Sequence, residues 1–166
     1  MEKIAVIGGG AAGMMASIFA ARRGMEVHVY EKNEKTGKKL YITGKGRCNL
    51  TNVCDMEELL ESVKSNKKFL YSAFYGFTNQ DAYDFFEAEG LKLKVERGNR
   101  VFPMSDRSAD VLDTLRRAMR PAGVQVHLNT EVKSVRKQED GFTLQLADKT
   151  RVNPSSCFRT LFTSVF

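Results

Sequence analysis

The sequence predicts an α/β fold in which a parallel β-sheet carries a nucleotide-binding turn after its first strand. An apolar, β-branched run at residues 4–7 suits a buried parallel strand. The glycine motif G-G-G-A-A-G follows at residues 8–13, and residues 11–23 favour a helix. A second strand is predicted at residues 27–30, with Glu31 at its end. This order is typical of the Rossmann-like βαβ unit.

Each part of this unit has a physical role in binding a dinucleotide. Gly8 allows the tight turn, Gly10 lets the backbone approach a pyrophosphate, and Gly13 lets helix and strand pack closely. The N-terminus of the helix offers N–H groups and a positive dipole end to phosphates. The carboxylate of Glu31 can accept ribose hydroxyls and disfavours a 2′-phosphate, so the motif favours NAD or FAD over NADP. The alternative is a glycine-rich turn without a ligand.

Composition and charge exclude several other classes of protein. The 166 residues predict one domain, and the net charge of +6 permits an anionic partner without demanding nucleic acid. Three cysteines without a C-x-x-C motif, and two histidines, argue against a disulfide scaffold and against a metal site. The apolar segment 4–21 contains four glycines and follows Met-Glu-Lys, which does not suit a signal peptide or a membrane span. We therefore expect a cytoplasmic protein with no membrane partner.

A basic loop after the second strand distinguishes FAD from NAD. Residues 38–52 read K-K-L-Y-I-T-G-K-G-R-C-N-L-T-N, where a simple NAD-binding domain would continue into another helix and strand. The basic side chains of this loop suit a ligand that has more groups to be bound than one pyrophosphate; they are Lys38, Lys39 and Arg47. Gly46 allows close approach of the backbone.

The segments 8–13 and 31–32, and above all the string T-G-K-G-R-C-N-L-T-N at residues 43–52, resemble the BaiN/YhiN-like family of NAD(P)/FAD-dependent oxidoreductases, also described as aminoacetone-oxidase-like flavoproteins. The resemblance covers about residues 1 to 150. It implies an extended FAD, hydride transfer through the flavin, NAD(P)H as co-substrate and a small-molecule substrate.

The family pattern also assigns residues to the cofactor. Along FAD these are Gly8, Gly10, Ala11, Ala12 and Gly13 at the pyrophosphate, Glu31 at the ribose, Lys32 and Lys39 at the adenosine-phosphate end, and Gly46, Arg47, Cys48 and Asn49 on the flavin side. Arg47 or Lys45 is a candidate for stabilising negative charge on a reduced ring. The sequence names no general acid or base.

The remaining pattern predicts a helical insert, a third parallel strand and a β-meander. Helices are expected at 56–68, 79–89 and 109–120, and Asp55 is the expected N-cap of the first of them. A hairpin is expected at 91–95 and 100–103 around Gly98-Asn99, a parallel strand at 124–128, and meander strands at 132–137, 142–146 and 151–152. This arrangement resembles the FAD domain of glutathione-reductase-type proteins. In those domains the start of the meander contacts adenine through its backbone, which would involve Val132.

Several residue groups have an ordinary and a functional interpretation. We expect the aromatic residues of 69–77 to form the core of the insert rather than to stack on a base or flavin, and His28 and His127 to be structural. The run of arginines at 116–120 is expected to be a solvated helix face. A nucleic-acid binder using the basic segment 32–47 would leave the glycine motif and its acid without a role, so we expect no nucleic-acid partner.

The two cysteines of the basic region raise a rival chemistry. Cys48 and Cys54 are spaced C-x5-C, which leaves a thiol–disulfide relay as an alternative to two reduced, partly buried thiols. A disulfide-type flavin reductase, or an NAD-binding protein, is the corresponding alternative function.

The last residues do not continue the pattern of the family. We expect an incomplete FAD-binding domain at 1–152 and an aberrant or truncated tail at 153–166, because no apolar strand with an A-T-G-G-like turn is visible after the meander. A frameshift or early stop would explain this, and the alternative is a divergent chain with its own last strand. Turnover is therefore open, and a dinucleotide-binding fragment without catalysis is the second interpretation. The sequence indicates neither the substrate nor the oligomeric state.

Overall fold

The computed structural model describes residues 1–42 and 46–160. The predictions for Lys45, for the glycine before it and for residues 161–166 concern positions outside these ranges. The chain divides into two compact units, one formed by Met1–Leu40 with the chain from Leu115 onward, and the other by Tyr41–Thr114. We refer to them as unit 1 and unit 2 and describe each by itself.

The elements follow one another along the chain as strands and helices of modest length. They are β1 (Lys3–Ile7), α1 (Ala11–Arg22), β2 (Glu26–Tyr30), α2 (Lys38–Ile42), β3 (Thr51–Asn52), α3 (Met56–Glu61), α4 (Lys67–Gly76), α5 (Asn79–Ala88), β4 (Leu93–Glu96), β5 (Arg100–Pro103), α6 (Ser108–Met119), β6 (Gln125–His127), β7 (Val132–Gln138), β8 (Gly141–Leu146), β9 (Arg151–Val152) and β10 (Ser156–Arg159). Among the described residues, no helix combines the length and the apolar character that crossing a bilayer requires.

Unit 1 contains a parallel sheet with the strand order β10-β1-β2-β6. One face of the sheet packs on α1, where Val6, Met14 and Ile18 are buried. The other face carries Ala5 and Tyr30, which pack against the three-stranded antiparallel sheet β7-β8-β9. Side chains alternate along β1 between two cores, which explains why the strand is apolar from Ile4 to Ile7. The Rossmann-like fold with its meander is confirmed.

Strand β10 corrects the expectation that no parallel strand follows the meander. It pairs in parallel with β1, with Ile4 opposite Ser156 and Ile7 opposite Arg159. The N–H of Thr160 donates to the carbonyl of Ile7 at 3.0 Å, which continues the ladder by one residue. The sequence pattern missed the strand because it lies at the edge of the sheet and has only two apolar residues, so tertiary pairing determines it. The proposed frameshift stays a prediction.

Unit 2 contains the antiparallel sheet β3-β5-β4 and the helices of the insert. The predicted hairpin is confirmed, with Glu96 opposite Arg100 and a turn at Gly98-Asn99 in which both residues have positive φ. The predicted N-cap of α3 is also confirmed, since Asp55 Oδ1 accepts from the N–H of Glu58 at 2.8 Å.

Helix α4 overturns two expectations about the insert. The helix expected at 56–68 is interrupted after Glu61, and a second helix begins at Lys67, after Asn66 in a left-handed conformation. The aromatic residues of 69–77 do not form a core, because α4 buries no residue and Phe69 is 82% exposed. The buried aromatic residues of unit 2 lie on α5 and β5 instead; they are Phe85, Phe86 and Phe102.

Candidate cofactor site

Two glycines of the turn between β1 and α1 are required by the protein's own packing. A Cβ atom at Gly13 would lie 2.0 Å from the carbonyl oxygen of Gly8, so only glycine lets α1 approach the turn. Gly8 has a φ of +102°, and a Cβ atom there would lie 2.3 Å from Oγ1 of Thr160. The Thr160 hydroxyl in turn donates to the carbonyl of Ile7 at 2.8 Å. The structure therefore gives Gly8 and Gly13 packing roles in the turn.

Gly10 is different, because no contact within residues 1–42 and 46–160 requires a glycine there. Its backbone is extended, with φ −77° and ψ −177°, which any residue can adopt. A Cβ atom at Gly10 would meet no atom of the described residues within 4 Å, so it would project into open space beside the start of α1. The first turn of α1, beginning at Ala11 and Ala12, contains no acidic residue that would compete with a phosphate. This open cradle fits the pyrophosphate of a dinucleotide.

Glu31 links the end of β2 to the glycine turn. Its carboxylate is buried, and Oε2 accepts from the N–H of Gly9 at 2.7 Å. Oε1 accepts from the backbone N–H of Asn33 at 2.9 Å and from the Asn33 amide. Each carboxylate oxygen has further acceptor capacity, so these bonds orient Glu31 without excluding a ribose hydroxyl. Its predicted contact with ribose stays a prediction.

The segment after β2 is fixed by contacts that the sequence did not indicate. Gly37 donates from its backbone N–H to the carbonyl of Gly9 at 2.8 Å. Arg116 donates from Nη2 to the carbonyl of Thr36 at 2.9 Å and from Nε to the Thr36 hydroxyl at 3.2 Å. The expectation that Arg116 belongs to a solvated helix face is therefore wrong. The pairing spans 80 residues of sequence, and no local pattern signals it.

The other predicted residues of unit 1 occupy positions that leave their roles open. Lys32 and Lys39 are exposed. Val132 begins β7 and pairs with Leu146, next to an irregularity in the register before Ser134. Their proposed contacts with the adenosine end of FAD stay predictions from the family pattern.

In unit 2, the described part of the basic loop is tied to β5. The N–H of Leu50 donates to the carbonyl of Val101 at 2.9 Å. In the orientation that satisfies its hydrogen bonds, the Asn49 amide donates to the carbonyls of Thr51 at 3.0 Å and Val101 at 3.2 Å. Cys48 is buried and has a φ of 60°, an uncommon conformation for a residue other than glycine. Gly46 also has a positive φ.

Arg47 is held by two carboxylates and an aromatic ring. Its Nε donates to Oδ1 of Asp106 at 2.9 Å, and Nη2 donates to Oε1 of Glu96 at 2.6 Å. The guanidinium carbon lies 4.3 Å from the centre of the Phe102 ring. Lys94 donates to Oδ2 of Asp106 at 2.5 Å. Hydrogen bonding to Arg47 lowers the pKa of Glu96, and hydrogen bonds from Lys94 and then Arg47 lower the pKa of Asp106.

The cysteines and histidines show no arrangement for metal or thiol chemistry. Cys48 and Cys54 are not joined in a disulfide, and burial raises the pKa of Cys54, which disfavours the reactive thiolate. Nδ1 of His28 lies 3.0 Å from Nε2 of His127, and the His127 ring stacks on Tyr30. Within residues 1–42 and 46–160, no group of three or more His, Cys, Asp or Glu side chains could hold a metal ion.

Comparison with known proteins identifies relatives along almost the whole chain. The profile of the HI0933-like protein Rossmann domain family matches residues 2–160. The 3-dehydro-bile acid delta(4,6)-reductase of Clostridium scindens is 33% identical over 147 residues, covering 87% of this chain and 35% of that protein. The ribosomal RNA dihydrouridine synthase of Escherichia coli is 34% identical over 145 residues, covering 87% of this chain and 36% of that protein. The chain thus spans about a third of the length of these relatives.

A solved structure supports the fold. The 3-ketosteroid-delta4-(5alpha)-dehydrogenase of Rhodococcus jostii superimposes with a TM-score of 0.64 at 14% identity, covering 91% of this chain and 43% of that one. At this identity the likeness concerns the fold alone.

Proposed function

This chain belongs to the HI0933-like Rossmann domain family, and from that membership we propose that it is the FAD-binding part of a flavin-dependent oxidoreductase. The observation that carries the proposal is the open space at Gly10, beside a helix start that has no acidic residue in its first turn. A glycine that the protein itself does not need is explained by a ligand that passes close to its backbone.

The proposal gives each part of the site a task. The backbone from Gly10 into the start of α1 binds the pyrophosphate, and Glu31, already oriented by Gly9, accepts the ribose hydroxyls. Lys32, Lys39 and the backbone of Val132 serve the adenosine end. The segment from Gly46 to Asn49 serves the flavin end. Bound FAD supplies hydride transfer, and the protein supplies position and electrostatics.

We propose that the reaction is reduction of a carbon–carbon double bond conjugated with a carbonyl group. The names of both relatives describe such a bond: the delta(4,6) bonds of a 3-dehydro-bile acid, and the bond of uridine that is saturated in dihydrouridine. A hydride and a proton add across the double bond, and NAD(P)H is the proposed source of the electrons. We propose a small-molecule substrate in the cytoplasm, with uridine in RNA as the alternative to be assayed beside it.

The first test of the proposal is FAD binding by the wild-type chain and by Gly10→Ala. Flavin fluorescence and visible absorption are titrated with FAD, and bound cofactor is identified by mass. We expect the wild type to bind FAD and Gly10→Ala to bind at least about tenfold more weakly, because its methyl group occupies the approach to the pyrophosphate.

The matched control is Gly76→Ala, a second glycine whose Cβ would also meet open space. Both variants are expected to unfold at or slightly above the wild-type temperature, and Gly76→Ala to bind FAD normally. Equal FAD affinity in Gly10→Ala and wild type would contradict the cradle. Preference for NAD over FAD would contradict the cofactor.

Turnover is tested separately on the FAD-loaded chain. Under anaerobic conditions we expect NADH or NADPH to reduce the bound flavin. Reduction would bleach the absorbance band of oxidised flavin at roughly 450 nm. FAD binding without bleaching by either nucleotide would favour the dinucleotide-binding fragment that does not catalyse.

A further inference from the structure

The strongest unassigned feature is the group of four charged side chains around Arg47, which we call the charge clasp. It comprises Arg47, Lys94, Glu96 and Asp106. Arg47 comes from the basic loop, Lys94 and Glu96 from β4, and Asp106 from the turn after β5. The four side chains therefore join three separate segments of unit 2.

The geometry of the clasp leaves Arg47 poorly suited to binding a phosphate or a reduced flavin ring directly. Two of its nitrogens already donate to the carboxylates of Glu96 and Asp106, and one face of its guanidinium lies over Phe102. Two cations and two anions sum to no net charge, so the clasp as a whole does not attract an anion.

The clasp is closed as well as neutral. Lys94 contacts both carboxylates, with Nζ at 3.5 Å from Glu96 Oε1 and 2.5 Å from Asp106 Oδ2. Each of the two cations thus contacts both anions. The planar guanidinium of Arg47 is held by two carboxylates, and this restricts its orientation. The residue that follows Arg47 is the buried Cys48 with its left-handed backbone, a conformation that persists only where the surroundings hold it.

We propose that Arg47 is a positioning residue whose clasp with Lys94, Glu96 and Asp106 holds the segment Gly46–Leu50 in its cofactor-binding shape before FAD arrives. This rests on the proposed function, in which residues 46–49 of that segment serve the flavin. A preformed loop raises affinity because less ordering remains to be done on binding.

The test compares Arg47→Gln, Asp106→Asn and the double variant. We expect each single change to lower FAD affinity about tenfold and the double variant to lower it no further, because all three open the same charge-assisted bonds. The control is Arg100→Gln, whose guanidinium also lies near Phe102, at 5.8 Å, but donates to the carbonyl of Arg97. We expect this control to bind FAD like the wild type.

Asp106→Asn distinguishes positioning from direct binding. Removing this carboxylate leaves the clasp with one surplus positive charge, so a cation that contacts FAD directly would bind it equally well or more tightly. A positioning role requires weaker binding. Unchanged or tighter FAD binding by Asp106→Asn would therefore overturn the proposal.

A second measurement does not depend on FAD. Hydrogen exchange of the cofactor-free chain is followed in peptides that cover Gly46–Leu50 and in peptides of β1 and α1. We expect faster exchange in the loop peptides of Arg47→Gln and Asp106→Asn and no change in β1 and α1. Unchanged loop exchange in both variants would overturn the clasp, whereas a wild type that binds no FAD would overturn the proposed function alone.

Discussion

The glycine turn of unit 1 and the basic loop of unit 2 are both assigned to one cofactor by the family pattern, yet they keep their shapes by different means. The glycine turn is shaped by backbone atoms in close contact, above all at Gly13. The basic loop is shaped by charged side chains from three segments, centred on Arg47. A closely packed backbone contact is disrupted when a single atom is added to it. The strength of an ion cluster instead changes gradually with solvent conditions such as salt concentration.

The largest effect is expected from Gly13→Ala, which would break the unit 1 side of this comparison. The added methyl group would lie 2.0 Å from the Gly8 carbonyl oxygen, so α1 must move away from β1. We expect a loss of at least about 3 kcal/mol in the free energy of unfolding, in the range of severe overpacking. Thermal and urea unfolding measure it, with Gly76→Ala as the control. A stability equal to that of the control would refute the close-contact account.

A smaller effect is expected from salt, which sharpens the comparison. At about 1 M NaCl the screening length falls to about 3 Å, so exposed parts of the charge clasp weaken while backbone contacts do not. Hydrogen exchange should become roughly two- to fivefold faster in peptides that cover Gly46–Leu50. It should stay constant in peptides that cover the glycine turn. Equal acceleration in both regions would show that charge does not distinguish them.

The smallest effect is expected from mild acid, which lowers the stability of unit 1 at a higher pH than it affects the charge clasp. Burial and the nearby His28 lower the pKa of His127 below its usual 6.5, so the folded chain takes up its proton less readily than the unfolded chain. The stability that neutral His127 provides is fully present above about pH 6.5, and it is lost as the pH falls through the lowered pKa of His127.

The clasp responds to acid in a lower window. The pKa values of Glu96 and Asp106 lie below their usual 4.5 and 3.8. Their contribution to stability is therefore present above those pH values and is lost only below them.

The prediction for His127 is tested by comparing the unfolding of wild type and His127→Gln at about pH 7.5 and about pH 5.5, a range in which histidines titrate. We expect the wild type to lose more stability than the variant. An equal loss would remove His127 from the account.

The same contrast separates what the sequence could predict from what it could not. The βαβ unit was predictable because apolar runs, glycine spacing and the acid at Glu31 are local signals of one backbone path. The hairpin turn and the N-cap at Asp55 were predictable for the same reason. The clasp was not, because Arg47 and Asp106 are 59 residues apart and charged side chains carry no periodicity.

Two errors have a common physical cause. The aromatic residues of α4 were expected in a core because of their size, although size does not determine whether another element covers them. Strand β10 was missed because so few of its residues are apolar, although pairing with β1 is enough to order it. In both cases the outcome depends on neighbours distant in sequence.

The pairing of β10 with β1 also has a consequence for the order of folding. The first strand of the chain finds one of its two partners among residues 156–159, whereas all contacts internal to unit 2 join residues of the continuous segment 41–114. A chain emerging from the ribosome can therefore complete unit 2 while the edge of β1 is still unpaired. Until Arg159 has been synthesised, this apolar edge is open to pairing with another chain.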